Sequence, residues 1–173
     1  DIEPNEDFTL TLSNPSNGVV IKTSTASGRI VNDDARISIS NILVSKNEGN
    51  TGQTNFDYTL TRSGDTVVAH SVTYSIIAGD TDSANAADFV GGMPNAKVAT
   101  FQAGATSLQI SIPVIGDTTV EPNENFKVQL SNPTNQAILG TNTVGTGKIL
   151  NDDFSFSVSA VSANKDEGNA GTT

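Results

Sequence analysis

The chain has 173 residues, of which 35% are hydrophobic and only 16% charged, with Gly, Thr, Ser and Asn abundant. That is the composition of a β-rich, turn-rich extracellular or cell-surface module, since long helices favour Ala, Leu, Glu, Lys and Arg. A formal net charge of -10 repels nucleic acid and anionic membranes and suits cations. With no Cys there is no disulfide framework, thiolate metal site or cysteine nucleophile. No run approaches the roughly 18 apolar residues of a membrane helix, so membrane insertion is not expected.

In chain order, "IEPNEDFTLTLSNPSN" at 2–17 and "GRIVNDD" at 28–34 come first and return later as "VEPNENFKVQLSNPTN" at 120–135 and "GKILNDD" at 147–153. "KNEGNTGQT" at 46–54 likewise returns as "KDEGNAGTT" at 165–173. The offset is 118 residues for the first pair and 119 for the other two, which marks tandem units of that length. Residues 1–34 are therefore read as the C-terminal part of a preceding repeat, 35–153 as a complete repeat, and 154–173 as the first strand of a following one. On this reading the sequence is a window on a longer array.

Within 35–153 the hydrophobic period is two. Phe56, Tyr58 and Leu60 alternate with Asp57, Thr59 and Thr61, and Phe126, Val128 and Leu130 alternate with Asn125, Lys127 and Gln129. Strict alternation marks strands with one buried and one wet face. Strands are expected at 36–44, 54–62, 67–77, 96–101, 106–115, 124–132 and 144–150, separated by Gly/Asn/Asp/Pro turns. The expected fold is all-β: a seven-stranded antiparallel Greek-key, immunoglobulin-like β-sandwich in tandem repeats. Each buried Val, Leu, Ile or Phe contributes roughly 1.5–3 kcal/mol, so such a core holds without a metal.

The acids of the complete repeat gather in its connections. Glu48 lies in "NEGN", Asp80, Asp82 and Asp88 in "AGDTDSANAADF", Asp117 and Glu121 in "GDTTVEPNE", and Asp152 and Asp153 close the last strand. Every second loop of an antiparallel sandwich falls at the same end, so several of these can meet. Calcium takes six to eight oxygen ligands at about 2.3–2.6 Å, which suits carboxylates from flexible loops. The plain alternative is ordinary loop chemistry, with Asn-Asp-Asp merely stopping a strand. Recurrence favours the ion: Glu3, Asp33, Asp34 and Glu167 stand at positions equivalent to Glu121, Asp152, Asp153 and Glu48.

"NEGN", "VTYSI", "AADF", the run from Phe101 to Pro133 and the terminal "GKILNDD" together resemble the Calx-beta domain. That family implies an immunoglobulin-like sandwich of the kind found in sodium/calcium exchanger regulatory loops and in large bacterial surface proteins. It also implies calcium as the bound ion, with Glu48, Asp88, Asp117, Glu121, Asp152 and Asp153 as ligands. Three positions depart from the exchanger pattern: Asn50 replaces an acid, Phe89 a Tyr, and Asn151 an Asp. One or two ions per repeat are expected.

Other chemistry is weaker. His70, the single His, reads as a strand residue. Glu121 and Glu124 are paired carboxylates, but a glycosidase role needs a cleft that short-looped sandwiches seldom offer. An isopeptide from Lys127 or Lys148 has no supporting pattern, and no enzyme is expected. The leading expectation is a calcium-binding structural repeat in an extracellular stalk or fibre, with neighbouring repeats of the same chain as its partners. Head-to-tail copies in a fibre, an adhesive module, a calcium sensor and a metal-free spacer are the alternatives.

Overall fold

The computed structural model describes residues 2–159 and Asn169. Its strands are β1 (Glu6–Thr11), β2 (Thr25–Ile30), β3 (Ala35–Ile39), β4 (Leu43–Asn47), β5 (Gln53–Gly64), β6 (His70–Ala78), β7 (Lys97–Phe101), β8 (Ser107–Ile115), β9 (Glu124–Ser131), β10 (Ile138–Leu139) and β11 (Val144–Leu150), with one 3-10 turn at Ala86–Asp88. No helix among the described residues is long and apolar enough to cross a membrane.

β3 to β11 form two sheets, one in the order β10-β3-β5-β8 and the other β4-β11-β9-β6-β7. The inward side chains of both make one core, including Ile37, Phe56, Tyr58, Leu60, Val72, Ile112, Phe126 and Val128. Each of the seven expected strands has a counterpart, but the first, 36–44, is split into β3 and β4 on opposite sheets. The cause is local. Asn41 donates through Nδ2 to Asp57 O at 2.8 Å and accepts from Thr59 N at 2.6 Å. Its amide takes the place of a strand partner on β5, and the chain leaves that sheet there. β4 then pairs parallel with β11, and β10 parallel with β3, so the sandwich is mixed rather than purely antiparallel.

The register sets which loops share an end. β4 and β11 run parallel and finish side by side at Asn47 and Leu150. The end of β8, Ile115, faces the start of β5, Gln53. The start of β9, Glu124, faces Ile149 near the end of β11, while Phe126 faces Ala78 at the end of β6. The segments following β4, β6, β8 and β11 therefore converge at one end. Beneath them Phe126 packs edge-on against Phe56 and Phe89, with ring centroids 5.4 and 5.2 Å apart. Gly147 makes this possible, because a Cβ there would lie 2.1 Å from the Phe126 ring.

The opposite end is where the chain enters. Ala35 faces Gly64, and Asp65 N donates to Asp34 O at 2.7 Å. His70, on β6, is fully buried there, with Nδ1 2.9 Å from the guanidinium of buried Arg62.

β1 and β2 form a separate antiparallel hairpin whose register reproduces that of β9 and β11. Glu6 faces Ile30 and Phe8 faces Gly28, as Glu124 faces Ile149 and Phe126 faces Gly147. Three polar stitches recur as well. Glu3 N–Asn32 Oδ1 at 3.3 Å repeats Glu121 N–Asn151 Oδ1 at 3.3 Å. Asn32 N–Asn5 Oδ1 at 2.8 Å repeats Asn151 N–Asn123 Oδ1 at 2.9 Å. Asn32 Nδ2–Asp34 O at 3.0 Å repeats Asn151 Nδ2–Asp153 O at 2.8 Å.

Candidate metal centre

The four converging segments bring seven carboxylates together, and two triads stand out. Glu48, Asp152 and Asp153 each offer an oxygen within 4.8 Å of the other two, and so do Asp88, Glu121 and Glu124. Oxygens on opposite sides of a calcium ion bound at about 2.3–2.6 Å lie roughly 4.6–5.2 Å apart, so either triad has the spacing to embrace one.

Glu48 is buried where Gly116 lets the loop after β8 press against it. A Cβ at residue 116 would lie 2.1 Å from Gly49 O and 2.7 Å from Glu48 O. Asp152 accepts from Gly49 N at 3.2 Å, which ties the end of β11 to the loop after β4. Asp153 is 9% exposed; its Oδ1 accepts from Asn50 Nδ2 at 2.6 Å, while its Oδ2 is buried with no hydrogen-bond partner. Such an orphaned anionic oxygen is costly unless a cation or water reaches it.

Asp88 closes the 3-10 turn. Its Oδ2 accepts from Asn85 N at 2.6 Å, and Asn85 Oδ1 accepts from Ala87 N at 2.9 Å, a reciprocal capping box. The turn is anchored by buried Phe89 and by Asn125, whose backbone and side chain hold Asp82, Ala84 and Thr81. Asp117 is exposed at the rim, its Oδ1 accepting from Thr119 N at 2.6 Å, which keeps its carboxyl below the usual range.

The electrostatics join the triads into one field. Burial, then the charges of Glu121, Asp117, Asp152 and Asp153, push the Glu48 carboxyl up to about 7. Burial and the neighbouring Asp88 push Glu124 up as well, and burial with Asp88 and Asp117 does the same to Glu121. The ion pairs among the described residues are Arg29–Asp7, Lys46–Asp57 and Lys127–Asp80, none of which reaches the seven. An all-oxygen, anionic donor set with no nitrogen or sulfur fits a hard cation.

The expected ligands thus fall into place unevenly. Glu48, Asp152 and Asp153 share one triad, Asp88 and Glu121 belong to the other, and Asp117 lies between them outside both. Asp80 instead pairs with Lys127, and Asp82 lies outside both triads. Glu124, considered in the sequence only as half of a glycosidase-like pair, completes the second triad. Its signal was present: Glu3 and Glu6 repeat the spacing of Glu121 and Glu124. The three departures have structural roles. Asn50 donates to Asp153 Oδ1, Phe89 fills the core, and Asn151 stitches Glu121 N to Asp153 O. In the flank, Asp33 is exposed, and Glu3 and Asp34 take part in the recurring stitches, with no acid triad among the described residues there. Glu167 lies outside the described residues.

Fold and site together define an all-β sandwich with an acidic loop cluster at one end. The chain belongs to the Calx-beta domain family, whose model matches residues 32–153. Among solved structures, the apo-form Calx CBD1 domain shares 27% identity at a TM-score of 0.59, over 69% of this chain and 98% of that domain. The structure of CBD12 from CALX1.2 shares 27% identity at 0.59, over 68% of this chain and 46% of that one, so the match spans about half of it. That of CALX1.1, described as the calcium binding domain CBD12, matches equally, at 27% identity and 0.59. The Calx CBD2 domain, at 13% identity and 0.54, shares the fold. Comparison with curated proteins finds no match.

Proposed function

We propose that residues 35–153 are a calcium-binding structural repeat whose ion site is built from Glu48, Asp88, Glu121, Glu124, Asp152 and Asp153, with Asp117 at its rim. The observation that carries this is the pair of carboxylate triads, free of any ion pair among the described residues and including the orphaned Asp153 Oδ2. Likeness to the calcium binding domain CBD12 of CALX1.1 supports the choice of ion.

The same reading extends to an extracellular or cell-surface stalk of tandem immunoglobulin-like Greek-key repeats. The recurring register and stitches of residues 3–34 support it. So does the junction geometry. Asp34, equivalent to Asp153, is held by the Asp65 backbone of the next sandwich, so the final aspartates of one repeat abut the β5–β6 turn of its successor. Calcium on those aspartates fixes the exit direction of the chain and stiffens the string.

The test is thermal unfolding in calcium and in EDTA, with the Asp152→Asn/Asp153→Asn variant alongside. Affinity in the range of roughly 0.1–1 mM is expected. A hundredfold excess of calcium over Kd then stabilises by about 2.7 kcal/mol. Melting that ignores calcium in the wild type leaves a metal-free spacer.

A further inference from the structure

One flank of the complete sandwich is almost without charge. Residues 89–116, which hold β7, β8 and the loops beside them, contain Lys97 as their single charged residue. At the 16% of the whole chain, a stretch of 28 residues would carry about four or five. This flank belongs to the complete repeat 35–153 and is no cut surface. On the tandem reading neighbouring repeats meet the sandwich at its two ends, beside Gly64 and beyond Asp153, and leave the flank open.

The two sheets have four outer strands, β10, β8, β4 and β7. Outer strands carry unpaired N–H and C=O groups, which proteins blunt with short length, Lys, Pro or a covering loop. β10 is two residues long. β4 sets Lys46 across β5, on Asn55 O and beside Asp57. β8 contains Pro113 and is covered over its second half, where Phe89 bridges to Val114 and Val90 N donates to Pro113 O at 3.4 Å. β7 has Lys97 at its first position and no other guard, and among the described residues no strand pairs with the side away from β6. Its Ala99 and Phe101 face the core, while Val98, 67% exposed, and Thr100 stand on the outer face.

We propose that β7 pairs antiparallel with β7 of a second copy about a twofold axis at Ala99, joining two five-stranded sheets into one of ten strands. In that register Val98 lies opposite Thr100, and Lys97 opposite Phe101, of the other copy. The strand suits itself as a partner. Val98 and Thr100 meet twice on the outer face, a favourable cross-strand pairing of β-branched side chains. The two Lys97 charges stand four residues apart, roughly 14 Å at ~3.4 Å per residue, beyond the ~8 Å screening length at physiological salt. Copies of a chain of net charge -10 repel elsewhere, whereas this flank brings no acid between residues 89 and 116 into the contact. The contact is isologous, so it closes at the dimer. One five-residue strand makes a small interface, so the pairing is weak, and added salt strengthens it by screening the net charge.

Light scattering coupled to size exclusion, on residues 1–173 in EDTA from roughly 10 μM to 1 mM at low and high salt, tests this. The wild-type mass is expected to rise with concentration to that of a dimer and stop there, more readily in high salt. Val98→Lys/Thr100→Lys sets like charges opposite one another and stays monomeric, and so does Val98→Glu/Thr100→Glu. An equimolar mixture of the two forms a one-to-one dimer, because the register then places each new cation opposite a new anion. A wild type that is monomeric throughout overturns the proposal and leaves the edge to a different protein. Association that survives either pair of substitutions also overturns it, as does a mixture that stays monomeric. Both variants change exposed side chains, so an unchanged melting curve reports that they fold. Working in EDTA keeps the outcome separate from the ion reading.

Discussion

Replacing Glu48 by Gln keeps the shape of the side chain and removes one negative charge from the crowded end of the sandwich. Burial and four neighbouring carboxylates hold this carboxyl at about 7, against an ordinary 4.5. A folded-state value above the unfolded one means the folded protein binds the proton more tightly. The charged form therefore opposes folding above pH 7, and metal-free stability rises as pH falls from about 7 towards 4.5. At ~1.4 kcal/mol per pH unit the upper bound is about 3 kcal/mol; salt screening at the rim of the site brings the expected gain to about 1–2 kcal/mol. For a sandwich of this size that is a rise in Tm of roughly 3–10 °C. Glu48→Gln in EDTA at pH 8 should therefore melt above wild type, the difference should shrink to about a quarter of that near pH 5, and addition of calcium should stabilise the variant less than the wild type. Scanning calorimetry over pH 5–8, with and without calcium, measures all three. A variant that is less stable than wild type in EDTA at pH 8 refutes the electrostatic argument.

Three further substitutions probe other parts of the structure. Glu124→Gln should act as Glu48→Gln does, raising metal-free stability at pH 8 and weakening the calcium response, whereas Asp80→Asn, at an exposed ion pair, should shift stability by no more than about 0.5 kcal/mol. Phe89→Ala removes a buried ring beneath the 3-10 turn and should cost about 3–5 kcal/mol in denaturant unfolding, with loss of calcium response beyond that loss of stability because Asp88 is no longer held. Asn41→Ala strips two hydrogen bonds from the crossover between sheets and should cost about 1–3 kcal/mol with the calcium response retained.

The class of fold is legible in the chain alone, because alternation at period two is local and each inward residue, such as Phe56, Tyr58 and Leu60, declares its face without reference to any other strand. The recurrence of sequence blocks at 118–119 residues was equally legible, being a comparison of the chain with itself. The gathering of acids in the connections, with the resemblance to the Calx-beta domain, pointed to Glu48, Asp152 and Asp153, and the structure holds their oxygens within 4.8 Å of one another. What lay beyond the sequence depends on contacts between distant residues. The break between β3 and β4 arises because Asn41 finds the backbone of β5, sixteen and eighteen residues away, and no period in 36–44 announces it. The sorting of one acidic loop cluster into two triads, with Glu124 included, Asp117 at the rim and Asp80 drawn off by Lys127, follows from register: β9 against β11 and β8 against β5 set which carboxylates meet. Charge repels at any position in a sequence; only the tertiary structure, by burying these carboxylates beside one another, turns that repulsion into a site.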